Sequence, residues 1–191
     1  MIFSSRVISL LVLGVSLSAC PRDNDAPAGG AVDLSGRTVD AMAPSSAKAT
    51  VLLFVDVECP ISNRYAPEVR RIYERYVSRG VRFFSVYAKP DESVPRINQH
   101  VAEFDYPMTA LRDPKHHLVD KSGATATPEA VVLDPQGSVV YRGRIDDRFI
   151  AYGKTRNAPQ RRDLIVLSTR CWRVNRSRPR PPRWWAVTSR A

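Results

Sequence analysis

Of the three cysteines, Cys20, Cys59 and Cys171, Cys59 stands where a thiol is most reactive. It closes an apolar, β-rich run that begins at Val51, and Pro60 follows at once. Beyond it Val69, Ile72, Tyr73 and Tyr76 recur at i, i+3, i+4 and i+7, which puts an apolar face on a helix. Pro60 suits the first turn of that helix, where its missing N–H is not needed. Cys59 therefore sits where a strand hands over to a helix N-terminus. Unpaired N–H groups and the positive end of the dipole stabilise a thiolate there. The thiolate is the nucleophilic form, so position makes Cys59 a candidate nucleophile. The plainer reading of an isolated cysteine is a small buried hydrophobe.

The setting of the cysteine favours chemistry. Cys59-Pro60-Ile61-Ser62, after a hydrophobic strand and before a helix, resembles the active-site turn of the thioredoxin-like superfamily. From Glu58 to Glu68 (Glu-Cys-Pro-Ile-Ser-Asn-Arg-Tyr-Ala-Pro-Glu) the chain is similar to a bacterial redoxin group within the alkyl hydroperoxide reductase/thiol-specific antioxidant family. The resemblance runs from about Val32 to Leu164 and implies an α/β, thioredoxin-like fold, a central mixed β-sheet flanked by helices. It also implies a proline facing the cysteine across a cleft, and Thr127-Pro128 stands in that place. X–Pro bonds are ordinarily trans, but the order of elements here makes a cis bond the expectation. The residues so implied are Cys59, Ser62 and Pro128 in catalysis, with Pro60 and Thr127 against substrate.

The pattern around the turn alternates strands and helices. Thr50–Val57 reads as a strand buried on both faces, because its apolar character is continuous. A helix over Tyr65–Arg79 stops at Gly80, and Val81–Tyr87 is a second strand, giving a parallel βαβ unit. Glu92–Phe104 reads as a helix and Met108–Leu111 as a short strand. A further helix opens at Asp113-Pro114 and ends at Gly123. Glu129–Leu133 and Ser138–Arg142 flank Asp-Pro-Gln-Gly, a hairpin signal. Val32–Val39 adds a short lead-in strand or hairpin. Asp146 and Asp147, in the stretch Tyr141–Arg148, read as caps of a turn. His116 and His117 are helix neighbours pointing about 100° apart and do not chelate one ion together, so no metal is expected. No cofactor is expected either.

The usual dithiol exchange of this superfamily needs a second thiol to resolve the mixed disulfide, and Ser62 stands in its place. A hydroxyl at Ser62 can hydrogen-bond near the thiolate but cannot resolve. Three readings follow: monothiol exchange with a protein or small-molecule thiol or disulfide, reset by an external thiol reductant; peroxide reduction through a sulfenic acid; or a binding and adaptor scaffold without turnover. Peroxiredoxins carry Pro-x-x-x-Thr/Ser-x-x-Cys, and here those positions hold Leu52 and Asp56. Asp56 and Glu58 oppose thiolate formation if they point inward.

The two ends of the chain read differently from its body. Residues 1–19 have Arg6, then an apolar run over Val7–Leu17 that is too short for a membrane span, the pattern of a secretory signal. Leu17-Ser18-Ala19-Cys20 resembles the lipobox of bacterial lipoproteins, which implies lipidation of Cys20 and anchoring of the cell-envelope protein to a membrane, facing the periplasm or another extracytoplasmic space. Residues 20–31 are a Pro-, Gly- and Asp-rich tether, and 32–164 form the domain. The formal net charge is +10 over 191 residues. Residues 161–191 hold nine Arg and one acid, leaving 20 basic and 18 acidic residues in 1–160. A nucleic-acid role would rest on the tail alone, and no nucleic-acid partner is expected.

Residues 165–191 carry all three Trp and an alternation of Arg with Pro, without a core-forming period. Joining the last base of each codon to the first two of the next, with high-GC codons, re-reads Val166 to Ser189. The result is Ala-Leu-Asp-Ala-Val-Leu-Ala-Gly-Glu-Pro-Val-Ala-Ala-Pro-Thr-Thr-Glu-Val-Val-Gly-Cys-Asp-Ile. That text resembles the redoxin group's usual ending: an amphipathic helix, a Pro/Thr linker, then Val-Gly-Cys-x-Ile. We read the tail as shifted in frame near Leu164–Ile165 and expect it to be disordered. Cys171 and the basic charge are then accidental. An offset coding frame that meets stops or lacks this text would remove the reading. The alternative is a genuine tail that binds anionic lipid or nucleic acid.

Overall fold

The computed structural model describes residues 30–151 and 154–165. Residues 1–29, with Cys20, and the tail beyond Ile165, with Cys171, lie outside the described residues, and the expectations placed on them lie there too.

The sheet is built outward from β3 (Ala49–Val55), in which every residue is buried. β3 pairs in parallel with β4 (Val81–Tyr87), Ala49 opposite Val81 through Val55 opposite Tyr87. On its other side it pairs antiparallel with β6 (Glu129–Leu133). β5 (Thr109–Arg112) runs parallel to β4, and β7 (Val139–Gly143) closes the hairpin with β6. β1 (Ala31–Asp33) and β2 (Thr38–Val39) form the expected lead-in hairpin on the β5 side. The seven strands lie in the order β2-β1-β5-β4-β3-β6-β7. This is the thioredoxin-like α/β fold, a mixed central sheet with helices on both faces.

Alternation along β3 divides the core, because successive side chains leave a strand on opposite faces. Val51, Leu53 and Val55 pack with Tyr65, Val69, Ile72 and Tyr76 of α1 (Pro60–Val77) and with Ile97 of α2 (Val94–Glu103). Leu52 and Phe54 face the other way, onto Leu118 of α3 (His117–Ser122). Fully burying a Leu or Phe contributes about 1.5–3 kcal/mol each, so both layers depend on β3.

Several boundaries differ from the sequence reading. α1 starts five residues earlier, because Pro60 is its first residue and the helix carries Pro67 in its second turn. α2 starts at Val94, where the Ser93 hydroxyl accepts from Arg96 N–H at 3.4 Å. α3 opens later than Asp113, because His116 adopts φ +58°. Asp113 nevertheless serves it: Oδ2 accepts from Leu118 N–H at 2.8 Å and Val119 N–H at 3.0 Å. A small hairpin, β8 (Phe149–Ala151) with β9 (Lys154–Thr155), was not expected at all. Residues 163–165 begin a helical turn, with Leu164 fully buried. Among the described residues no cluster of three or more His, Cys, Asp or Glu could hold a metal ion.

Candidate thiol site at the head of helix α1

Cys59 is the N-cap of α1, with extended backbone (φ −82°, ψ 106°) and no side-chain cap. Its N–H donates to Asp56 C=O at 3.1 Å, and its C=O accepts from Asn63 N–H at 3.1 Å. The backbone is thereby fixed by its own hydrogen bonds. The thiol is half-buried. Its Sγ donates to the Thr127 carbonyl oxygen at 3.5 Å. That contact sets the prolyl loop beside the cysteine, and the Thr127–Pro128 peptide bond is cis. Thr127 is exposed, Pro128 half-buried and Pro60 exposed, all three bordering the same sulfur-bearing turn.

Ser62 behaves differently from the sequence reading. It is fully buried, and its Oγ has no hydrogen-bond partner. The hydroxyl points into the protein at the third helical position and makes no bond to the sulfur. Its carbonyl is used instead, accepting from Tyr106 O–H at 3.1 Å. Burial, and then the neighbouring Cys59 sulfur, push the Tyr106 phenol up, so it remains a donor.

Of the two acids beside the cysteine, Glu58 is paired with cations and Asp56 shapes the turn. Glu58 accepts from Lys89 Nζ at 3.0 Å and Arg96 Nη2 at 3.1 Å. Those bonds, Lys89 first, hold its carboxyl below its ordinary value. Asp56 Oδ1 accepts from Glu58 N–H at 2.7 Å, which shapes the turn.

Sequence reasoning missed the polar residues behind the site. Glu129, directly after Pro128, is fully buried. Its Oε2 accepts from Thr125 N–H at 2.7 Å and Ala126 N–H at 3.2 Å, which fixes the loop that carries Thr127. Arg142 Nε lies 3.6 Å from Oε1. The signal was available: one acid at the start of an otherwise apolar strand. Asn63, His100 and Tyr87 were missed for lack of any local pattern, since 37 residues separate Asn63 from the histidine it bonds.

Asp146 and Asp147 do cap turns, as read. Asp146 Oδ1 accepts from Arg148 N–H at 2.8 Å, and Asp147 Oδ1 from Gln160 and Arg161 N–H at 2.7 and 2.8 Å. Asp146 also accepts from Tyr65 O–H at 2.5 Å, which ties α1 to the C-terminal segment. Tyr65→Phe should cost about 1–3 kcal/mol in urea unfolding, because it leaves a buried acceptor short of a donor. Cys59 alkylation should be unchanged in that variant.

A family model described as Redoxin matches residues 21–150. The chain belongs to the redoxin family. No curated protein matches it. Among solved structures, an uncharacterized conserved protein from Geobacillus kaustophilus is similar with TM-score 0.60 and 23% identity, over 78% of this chain and 80% of that one. A secreted Mycobacterium tuberculosis disulfide oxidoreductase, homologous to E. coli DsbE, is similar with TM-score 0.51 and 20% identity, over 75% and 94%. The thioredoxin domain of a thiol-disulfide oxidoreductase from Bacteroides vulgatus gives TM-score 0.50 and 16% identity, over 65% and 89%. At these identities the likeness is one of fold. The redoxin fold, with a cysteine at the head of α1 and a cis-proline beside it, is consistent with thiol–disulfide chemistry.

Proposed function

We propose that this redoxin is a thiol–disulfide oxidoreductase that works through the single nucleophile Cys59. The observation that carries the reading is the half-buried sulfur 3.5 Å from the Thr127 carbonyl, at a helix head. The Cys59 thiolate attacks one sulfur of a disulfide. A new S–S bond forms to Cys59, the old S–S bond breaks, and the departing half leaves as a thiolate. An external thiol then attacks the captured sulfur, takes it as a new disulfide and restores the Cys59 thiolate. Ser62 offers no second thiol, and Cys59 is the one cysteine among the described residues, so the reductant comes from outside the domain.

Peroxide reduction is the competing chemistry. There the thiolate takes one oxygen of ROOH to give a sulfenic acid and an alcohol, and two external thiols then return it to thiol with release of water. Leu52 and Asp56 stand where peroxiredoxins carry their Pro and Thr/Ser. Disulfide exchange is favoured for that reason. Rates of peroxide and of disulfide consumption by wild type and Cys59→Ser separate the two. Cys59-dependent loss of the disulfide with peroxide untouched is expected, and the reverse pattern would overturn it. A sulfur that reacts with neither would leave the adaptor reading, which the missing resolving thiol also fits.

We place the domain outside the cytoplasm, held to a membrane by lipid on Cys20. The Leu-Ser-Ala-Cys sequence after an apolar run supports this, as does a tether long enough to free the domain from the surface. Cys20→Ala should move the protein from the membrane to the soluble envelope fraction. Continued membrane association would refute the anchor.

A further inference from the structure

His100 is 4% exposed, yet it lies on a helix whose other face is solvated. Its ring is held from three sides. Tyr106 stacks on it at 5.5 Å with a 24° interplanar angle, Tyr87 meets it edge-on at 5.7 Å, and Phe104 tilts against it at 4.9 Å. Nε2 lies 2.8 Å from Asn63 Oδ1, and Nδ1 lies 2.9 Å from the Tyr87 hydroxyl. An amide oxygen only accepts, so Nε2 carries the hydrogen. Burial pushes the His100 pKa down and keeps the ring neutral. Nδ1 is then an acceptor, filled by Tyr87 O–H. Every proton in the chain Tyr87–His100–Asn63 thus has one direction, and its effect is to turn the Asn63 oxygen inward.

The other end of that amide is its NH2 group, which has no partner among the described residues. Asn63 is half-buried and lies one turn after Cys59, on the same face of α1. Helical side chains lean toward the N-terminus, so Asn63 leans toward the cysteine. The thiol form of Cys59 has a proper partner, the Thr127 carbonyl. Once the proton leaves, that carbonyl faces a negative sulfur and becomes a repulsive neighbour. The thiolate then needs donors. Pro60 has no N–H, the Cys59 N–H is spent on Asp56 C=O, and the Asn63 N–H is spent on Cys59 C=O, which leaves the Ile61 and Ser62 N–H groups of the first turn and the Asn63 side-chain amide as donors.

We propose that the side-chain amide of Asn63 donates to the Cys59 thiolate, and that His100, set by Tyr87, is the positioning residue that holds this amide in place. The inference rests on the oxidoreductase reading and adds to it the group that stabilises its reactive form. Among the charged and titratable groups around the sulfur, Asp56 and Glu58 precede it, Lys89 and Arg96 neutralise Glu58, Tyr106 is protonated, and Asp56 and Glu103 act on His100. None of Asp56, Glu58, Lys89, Arg96, Glu103 and Tyr106 hydrogen-bonds the Asn63 side chain, whose partner is His100.

The test is the rate of Cys59 alkylation by iodoacetamide as a function of pH, read on the Cys59 peptide of the full chain. Asn63→Ala should move the midpoint up by about one pH unit, a roughly tenfold loss of thiolate below the midpoint. His100→Phe should move it the same way by less, and His100→Gln, which keeps a donor toward Asn63, should restore part of the loss. In a double-mutant cycle, His100→Phe should add little to Asn63→Ala, because it acts through that amide. If His100→Phe fails to fold, Tyr87→Phe tests the same relay from the surviving side. Unchanged midpoints with a wild type that still reacts with disulfides would overturn the Asn63 role and leave the oxidoreductase reading standing. Additive effects would overturn the His100 relay. A wild type whose Cys59 reacts with no disulfide would remove both.

Discussion

Cys59→Ser is expected to lower the reaction with disulfides to background, a loss on the order of a thousandfold or more, because a serine hydroxyl does not ionise to a nucleophile near neutral pH. The substitution should leave the fold intact. The sulfur is half-buried and makes a single 3.5 Å contact with Thr127, so unfolding should shift by no more than about 1 kcal/mol. Ser62 supplies the contrast. Ser62→Ala should leave the first step in place, since its Oγ makes no hydrogen bond. Ser62→Cys should add a second thiol at the usual spacing and release the captured half without an outside thiol. Mass spectrometry of single-turnover samples reads all three. A persistent adduct in the Ser62→Cys variant would mean that buried position does not reach the sulfur.

Glu129→Ala is expected to be the most destabilising change near the site, by about 3 kcal/mol in urea unfolding. It removes the acceptor of the Thr125 and Ala126 N–H groups and the buried carboxylate beside Arg142. It should also slow the reaction of Cys59, because the loop that positions Thr127 loses its anchor. Glu129→Gln should cost less, since an amide oxygen still accepts from both N–H groups. The pH dependence has a definite sign. Burial raises the Glu129 carboxyl above its ordinary value, so the native state keeps this proton to higher pH than the unfolded chain does. Its contribution is greatest below the unfolded value of about 4.5 and is lost as pH rises through the raised one. The stability of wild type relative to Glu129→Gln should therefore fall as pH rises across that window. A flat difference would mean that Arg142 holds the charge as well as water does.

The fold was legible because its signals are local. A continuous apolar run gave β3, a four-three spacing gave the buried face of α1, and Asp-Pro-Gln-Gly gave the β6–β7 hairpin. The ends of elements were less so. Pro60 and Ser93 fix the helix starts through backbone chemistry that a search for apolar periods does not register, and His116 interrupts α3 with a conformation its residue type does not announce. In the site, Cys59 and the Thr127-Pro128 loop were readable as motifs, one by position and one by resemblance. Ser62 was placed correctly in the chain but misjudged in orientation. The Asn63–His100–Tyr87 chain was invisible because α1, α2 and β4 meet only in three dimensions, and none of the three residues is unusual in its own segment.

The central claim is that Cys59 is a nucleophile toward disulfides, and the most direct measurement is peptide mapping of the full chain after reaction with oxidised glutathione. The account predicts one glutathione on the Cys59 peptide, removed by excess external thiol with return of the original mass. An unmodified Cys59, or an adduct that forms only on another cysteine, would contradict it.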